Sequence, residues 1–213
     1  MLFKDHFNRQ LREKLRACSA CKLKNQPGPV LGYGSLEADV MFIGEAPKEA
    51  DVTAGIPFTG IAKERMVEAI KNTDLKKGEY YFTYSVKHQI TEGSKPSTMD
   101  HKPCFDMLLE EIELVNPRII CSMGFYVTKF LMAAWKMDDE RTDMKDLCGN
   151  GYIVPARTFY KGRYKKREND RPKRYLIPTW SPAVEDMRKN DQFKADIQTL
   201  KHVRKLAPIL FDS

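Results

Sequence analysis

Two short apolar runs, each closed by a glycine, constrain this chain most. Asp39 to Gly44 reads DVMFIG, and Arg118 to Met123 reads RIICSM with Gly124 behind it. An apolar run of this length, bounded by a turn residue, reads as a strand covered on both faces. Tyr80 to Val86 is aromatic and β-prone, and Tyr175 to Pro178 reads as a last short strand. Between them lie helical patterns. Residues 5 to 17 carry Phe7, Leu11 and Leu15 at spacing four. Thr59 to Asn72 is amphipathic, with Ile61, Met66, Ala69 and Ile70 expected inward. Phe105 to Val115 ends just before Pro117, Phe125 to Trp135 follows the second glycine, and Ala183 to Leu206 is mostly helical. Strands alternating with helices predict an α/β fold. The expectation is a three-layer α/β/α sandwich around a central, mostly parallel four-stranded sheet, one domain over residues 1–213. Sites in such sheets lie at the carboxyl ends of strands, which places Glu45, Ser85 and Ser181 there.

Composition narrows the class. The hydrophobic share is 42% over 213 residues, ordinary for a globular chain. No run of about 18 apolar residues exists, so no membrane span is expected. The charged N-terminus lacks the apolar core of a signal peptide, so a reducing, cytoplasmic setting is the default. The net charge of +7 suits a polyanionic partner. Lys161 to Arg174, KGRYKKRENDRPKR, concentrates eight basic and two acidic residues. It is either a solvated loop or a contact to a nucleic-acid backbone, where each neutralised phosphate releases counterions. Tyr160 and Tyr164 could stack on bases or anchor the loop. The five cysteines are an odd number, which argues against a disulfide framework. Cys18 and Cys21 form a C-x-x-C. With Cys104 and Cys121 they could hold zinc or an iron–sulfur cluster. Alternatively, Cys104 and Cys121 are buried apolar fillers.

The order of features resembles one family. Cys-x-x-Cys is followed by Gly44-Glu45-Ala46-Pro47, then Gly55-Ile56-Pro57-Phe58-Thr59-Gly60, a mid-chain strand ending in Val86-Lys87, a cysteine opening a helix and a cysteine on the next strand. Together these resemble the uracil-DNA glycosylase superfamily, in particular its iron–sulfur branch, family 4, over roughly residues 15 to 205. The resemblance implies a [4Fe–4S] cluster on Cys18, Cys21, Cys104 and Cys121, with Cys148 left over. It implies DNA as partner and a monomeric hydrolase of N-glycosidic bonds. Such an enzyme flips a base out of the stack and passes through an oxocarbenium-like transition state. A carboxylate beside the sugar stabilises that charge and orients water. Glu45 is the candidate, with Asp51 as the second carboxylate. Phe58 is expected to stack on the base, and the Ala46 amide to donate to a pyrimidine O2. Lys48 stands where the family has glycine; it is a candidate nucleophile or an exposed loop residue.

Two positions depart from the family pattern. The second strand typically ends Thr-Asn-x-x-Lys, and Tyr84 stands in the asparagine's place. The late motif is His-Pro, and Ser181 stands before Pro182 instead. An amide donates and accepts at once, whereas a phenol offers one hydroxyl on a bulky ring. Ala46, Phe58, Tyr84 and Ser181 are therefore the expected base-binding set, with a pocket reshaped for uracil or a modified pyrimidine. The alternative is a catalytically inactive nucleic-acid-binding or interaction module that keeps the fold and cluster. Lys165, Lys166, Arg167, Arg171 and Lys173 are the expected DNA-backbone contacts.

Overall fold

The computed structural model describes residues 2–90, 98–137, 140–141, 143–154, 158–160, 163–165 and 174–211. Four strands form the predicted parallel core: β2 (Val40–Gly44), β3 (Tyr80–Tyr84), β4 (Ile119–Met123) and β8 (Arg174–Thr179). The sheet has six strands rather than four. β1 (Tyr33–Gly34) and β5 (Tyr152–Val154) add antiparallel edges, giving the order β1-β3-β2-β4-β8-β5. Both additions are two or three residues long, too short to carry a readable alternation. A separate hairpin, β6 (Thr158–Tyr160) with β7 (Arg163–Lys165), occupies the start of the basic segment.

Side-chain alternation on the strands separates two cores. Met41, Ile43 and Ile120 face α4 (Thr98–Val115), α5 (Phe125–Ala134) and α6 (Met144–Leu147), meeting Leu108, Ile112, Val127, Leu131 and Leu147. Val40, Phe42, Ile119 and Cys121 face α3 (Gly60–Lys71) and α7 (Met187–Gln198), meeting Met66, Ala69, Phe193 and Ile197. All five residues of β2 and of β4 are buried, which is why these strands read as unbroken apolar runs. Full burial of a residue such as Phe42 contributes about 1.5–3 kcal/mol. One expected inward residue differs: Ile61 is 53% exposed, and Ala62, Met66 and Ala69 form the buried stripe of α3 instead.

α1 (Leu2–Arg16) lies on α4, where Leu11 and Leu15 pack with Met107 and Leu114. Arg174 does not belong to the solvated basic stretch. It opens β8, is buried, and its guanidinium donates to Glu113 at 3.1 Å and to Asn116 at 2.9 Å. Among the described residues no helix is long and apolar enough to cross a membrane.

Candidate active site

Register sets the site. Gly44 pairs with both Tyr84 and Met123, and Met123 pairs with Thr179, so four parallel strands end level. The residues just beyond them therefore share one edge of the sheet: Glu45, Ser85, Gly124 and Trp180 with Ser181. A cleft of about 480 Å³ opens there. Glu45, Ala46, Asp51, Phe58, Tyr84 and Ser181 all line it, with Lys48, Thr59 and Ile90.

Glu45 is half-buried at the amino end of α5. Its Oε1 accepts the Tyr126 N–H at 3.0 Å, a charge-assisted bond reinforced by the helix dipole. Oε2 makes no hydrogen bond among the described residues. Burial raises the carboxyl above its ordinary 4.5, against the lowering effects of the Tyr126 amide and the Lys48 charge. Gly124 makes the approach possible. Its φ is +121°, and a Cβ there would lie 2.6 Å from Glu45 Oε1. Lys48 is exposed at the start of α2 (Glu49–Ala54).

Asp51 has a different job. Its carboxylate accepts from the Lys48 N–H at 2.8 Å, the Thr59 N–H and Oγ1 at 2.7 Å each, and the Tyr84 hydroxyl at 2.8 Å. Four donors fill a carboxylate's acceptor positions. Asp51 thus fastens the loop that follows Glu45 to the loop that carries Phe58, with no lone pair left for water.

Phe58 sits at φ +56°, a left-handed conformation that costs a non-glycine residue about 1–3 kcal/mol. Its N–H donates to the Tyr84 hydroxyl at 3.0 Å, and its ring lies 4.7 Å from the Tyr84 ring, centroid to centroid. Tyr84 therefore donates to Asp51 and accepts from Phe58. Both functions of its phenol are consumed inside the protein, and burial raises its pKa further from neutrality. Ser181 is half-buried in a turn in which its Oγ accepts the Ala183 N–H at 3.2 Å. Arg65 of α3 pins that turn, donating to the carbonyls of Pro182 at 2.9 Å and of Val184.

The sequence profile of the uracil DNA glycosylase superfamily matches residues 31–201. The chain belongs to that superfamily. It is 30% identical over 147 residues to a type-4 uracil-DNA glycosylase of Pyrobaculum aerophilum, covering 68% of this chain and 75% of the relative. It is 26% identical over 168 residues to the type-4 enzyme of Thermotoga maritima, covering 78% and 86%. The type-4 enzyme of Sulfurisphaera tokodaii is 27% identical over 177 residues, covering 82% and 74%. The pocket of this chain bears on what it does within that superfamily.

The cysteines do not assemble as the resemblance implied. Cys104 is buried on α4. Burial raises its thiol pKa, the Lys87 N–H donates to its sulfur, and Cys21 and Cys18 lie near enough for their charges to act on it. Cys21 packs with Leu23, Val86 and Cys104. Cys121 is elsewhere. It is fully buried in β4 between Phe42 and Ile177, facing α3 and α7, and the acid near it is Asp196. α4, which carries Cys104, covers the opposite face of the sheet. Cys121 thus packs as a buried apolar side chain in a different cluster from Cys21 and Cys104. Cys148 packs at the edge of the other core. Among the described residues no three His, Cys, Asp or Glu side chains form a group that could hold a metal ion.

The backbone of Lys165 lies in β7, while Lys166, Arg167, Arg171 and Lys173 fall outside the described residues. Reading the chain alone missed Gly124 and Tyr126, which anchor Glu45. The glycine closing an apolar strand just before a helix was the available signal.

Proposed function

We propose that this chain hydrolyses the N-glycosidic bond of a flipped-out pyrimidine in DNA, with a pocket shaped for a base bearing a substituent. One observation carries the reading: Glu45, whose Oε2 makes no hydrogen bond among the described residues, lines the same cleft as Phe58. With the base stacked on Phe58, the bond to the sugar breaks and its electron pair leaves with the base. The Ala46 amide donates to the pyrimidine O2 as negative charge gathers there. Glu45 stabilises the sugar cation, orients the water that attacks the anomeric carbon and takes its proton. Asp51 positions this machinery through Tyr84 and Thr59.

Tyr84 acts as a wall, not a reader of the base edge, because its hydroxyl is already committed. Ser181 is shorter than the imidazole of the family pattern and leaves room on its own side of the cleft. Volume is thus added on one side and removed on the other. A substituted pyrimidine fits that asymmetry better than plain uracil. Three thiolates, Cys18, Cys21 and Cys104, suit an iron–sulfur cluster, which would tie the N-terminal helix to α4 as a structural element. DNA is the partner, and the protein acts as a monomer in a reducing, cytoplasmic compartment.

The same committed hydroxyl favours a second reading, a module that binds nucleic acid without cutting it. Duplexes and single strands carrying one modified pyrimidine each, incubated with the protein and then cleaved at abasic sites, separate the two. Excision of a substituted pyrimidine in preference to uracil is expected. Tyr84→Asn with Ser181→His should move activity toward uracil. No excision from any substrate, before or after that exchange, leaves the binding module standing.

A further inference from the structure

With Cys121 on the wrong face of the sheet, the cysteine group lacks a fourth ligand. His88 stands in the loop whose backbone reaches Cys104. Lys87, whose N–H donates to the Cys104 sulfur, is its neighbour in the chain. The segment that follows Cys21 runs along the same loop. Pro27 O accepts the Gln89 N–H at 2.9 Å, and the Val30 N–H donates to Lys87 O at 2.8 Å. His88 is only 6% exposed, and its Nδ1 is buried with no hydrogen-bond partner among the described residues. A buried imidazole nitrogen without a partner calls for an explanation, because leaving it unpaired forfeits the hydrogen bond it makes in water. Gly28 presses on the Cδ2 edge of the ring; a Cβ on it would sit 3.2 Å from that carbon. Cδ2 and Nδ1 lie on opposite sides of the imidazole, so the contact turns Nδ1 away from Gly28.

We infer that His88, through Nδ1, is the fourth ligand of an iron–sulfur cluster whose other ligands are Cys18, Cys21 and Cys104. The site is then three thiolates and one imidazole, not four thiolates. A cubane gives each iron its own protein ligand, so its ligands stand further apart than around one ion. Ligation explains an otherwise orphaned nitrogen. An imidazole in place of a thiolate removes a negative charge from the cluster's surroundings, which raises its reduction potential.

The inference rests on the cluster reading above, and the experiment keeps the two apart. The full chain is purified without oxygen, and iron, zinc and acid-labile sulfide are measured. About four iron and four sulfide per chain are expected. Absence of sulfide, or zinc in place of iron, overturns the cluster and the ligand assignment together. With the cluster present, the reduced protein labelled with ¹⁵N-histidine should show a nitrogen hyperfine coupling by electron–nuclear double resonance. His88→Cys should keep iron and sulfide, abolish that coupling and lower the potential. His88→Ala should lose about one iron in four, and Cys121→Ser should change none of these readouts. A cluster with no histidine coupling overturns the assignment of His88 while leaving the cluster. So does a full complement of iron in His88→Ala, or loss of the cluster in Cys121→Ser.

Discussion

At the scale of single residues, the carboxylate of Glu45 carries the chemistry, and its surroundings trade stability for it. Burial holds its proton to a higher pH than in the unfolded chain. Between those two pKa values the folded state binds more proton, so stability falls as pH rises through that window and stays reduced at neutral pH. Activity needs the ionised form and rises over the same window. Glu45→Gln should therefore lower kcat/KM by about 10²–10³ while leaving the neutral-pH melting temperature unchanged or higher. The acid limb of the parent's kcat/KM profile should lie above 4.5 and vanish in the variant. Full activity, or a melting point several degrees lower, would remove Glu45 from the catalytic role. Asp51 shows how little residue type alone decides. It is a carboxylate like Glu45 and only six positions away, yet four donors turn it into a fastener.

At the scale of elements, the end of β3 is tied to α4 by a buried polar network. Lys87 Nζ donates to Glu111 at 2.7 Å and to Thr83 Oγ1 at 2.6 Å, while Glu111 also accepts from Tyr81 at 2.8 Å and Thr83 at 2.7 Å. Lys87 and Glu111 are both nearly inaccessible to water. Such a pair adds little net stability over apolar residues, but removing one partner strands a charge. Lys87→Met should destabilise the fold by about 3–5 kcal/mol, read as a lower urea midpoint. Lys87→Met with Glu111→Leu should recover most of that loss. A single variant as stable as the parent would show that the network carries no structural weight. The network also holds Lys87, whose amide meets Cys104, so its loss should loosen the cysteine site.

At the scale of the whole molecule, the net charge of +7 suits a polyanionic partner. The basic segment spans β7 and residues outside the described structure, and its proposed role is sequence-independent binding of phosphates. Changing Lys165, Lys166, Arg167, Arg171 and Lys173 to glutamine should weaken binding to all DNA sequences alike. It should also flatten the dependence of affinity on salt, by about 0.9 in log–log slope for each duplex phosphate that is no longer neutralised. An unchanged affinity and slope would show a solvated loop. Arg174, the last residue of the segment, is withdrawn from phosphates because β8 buries it against Glu113 and Asn116.

The sequence by itself determined the parallel core and its functional edge. Strands covered on both faces are largely apolar, so Val40–Gly44 and Ile119–Met123 stand out, and the next residues along the chain must emerge at the strand's carboxyl end. Glu45 and Ser181 could be placed at strand ends on that ground. The resemblance added Phe58, in a segment whose spacing it shares. Tertiary structure decided whatever depends on which helix covers which face. The two faces of a strand alternate residue by residue, so Cys121 looks toward α3 and α7 while Ile120 looks toward α4. No local pattern names the layer that lies on each side. The same holds for hydrogen bonds between distant loops. Tyr84 reads as a base-contacting residue until Asp51 and Phe58, 33 and 26 positions away, are seen to take both functions of its hydroxyl. The edge strands β1 and β5 have too few residues to show a period of two, and only their neighbours make them strands.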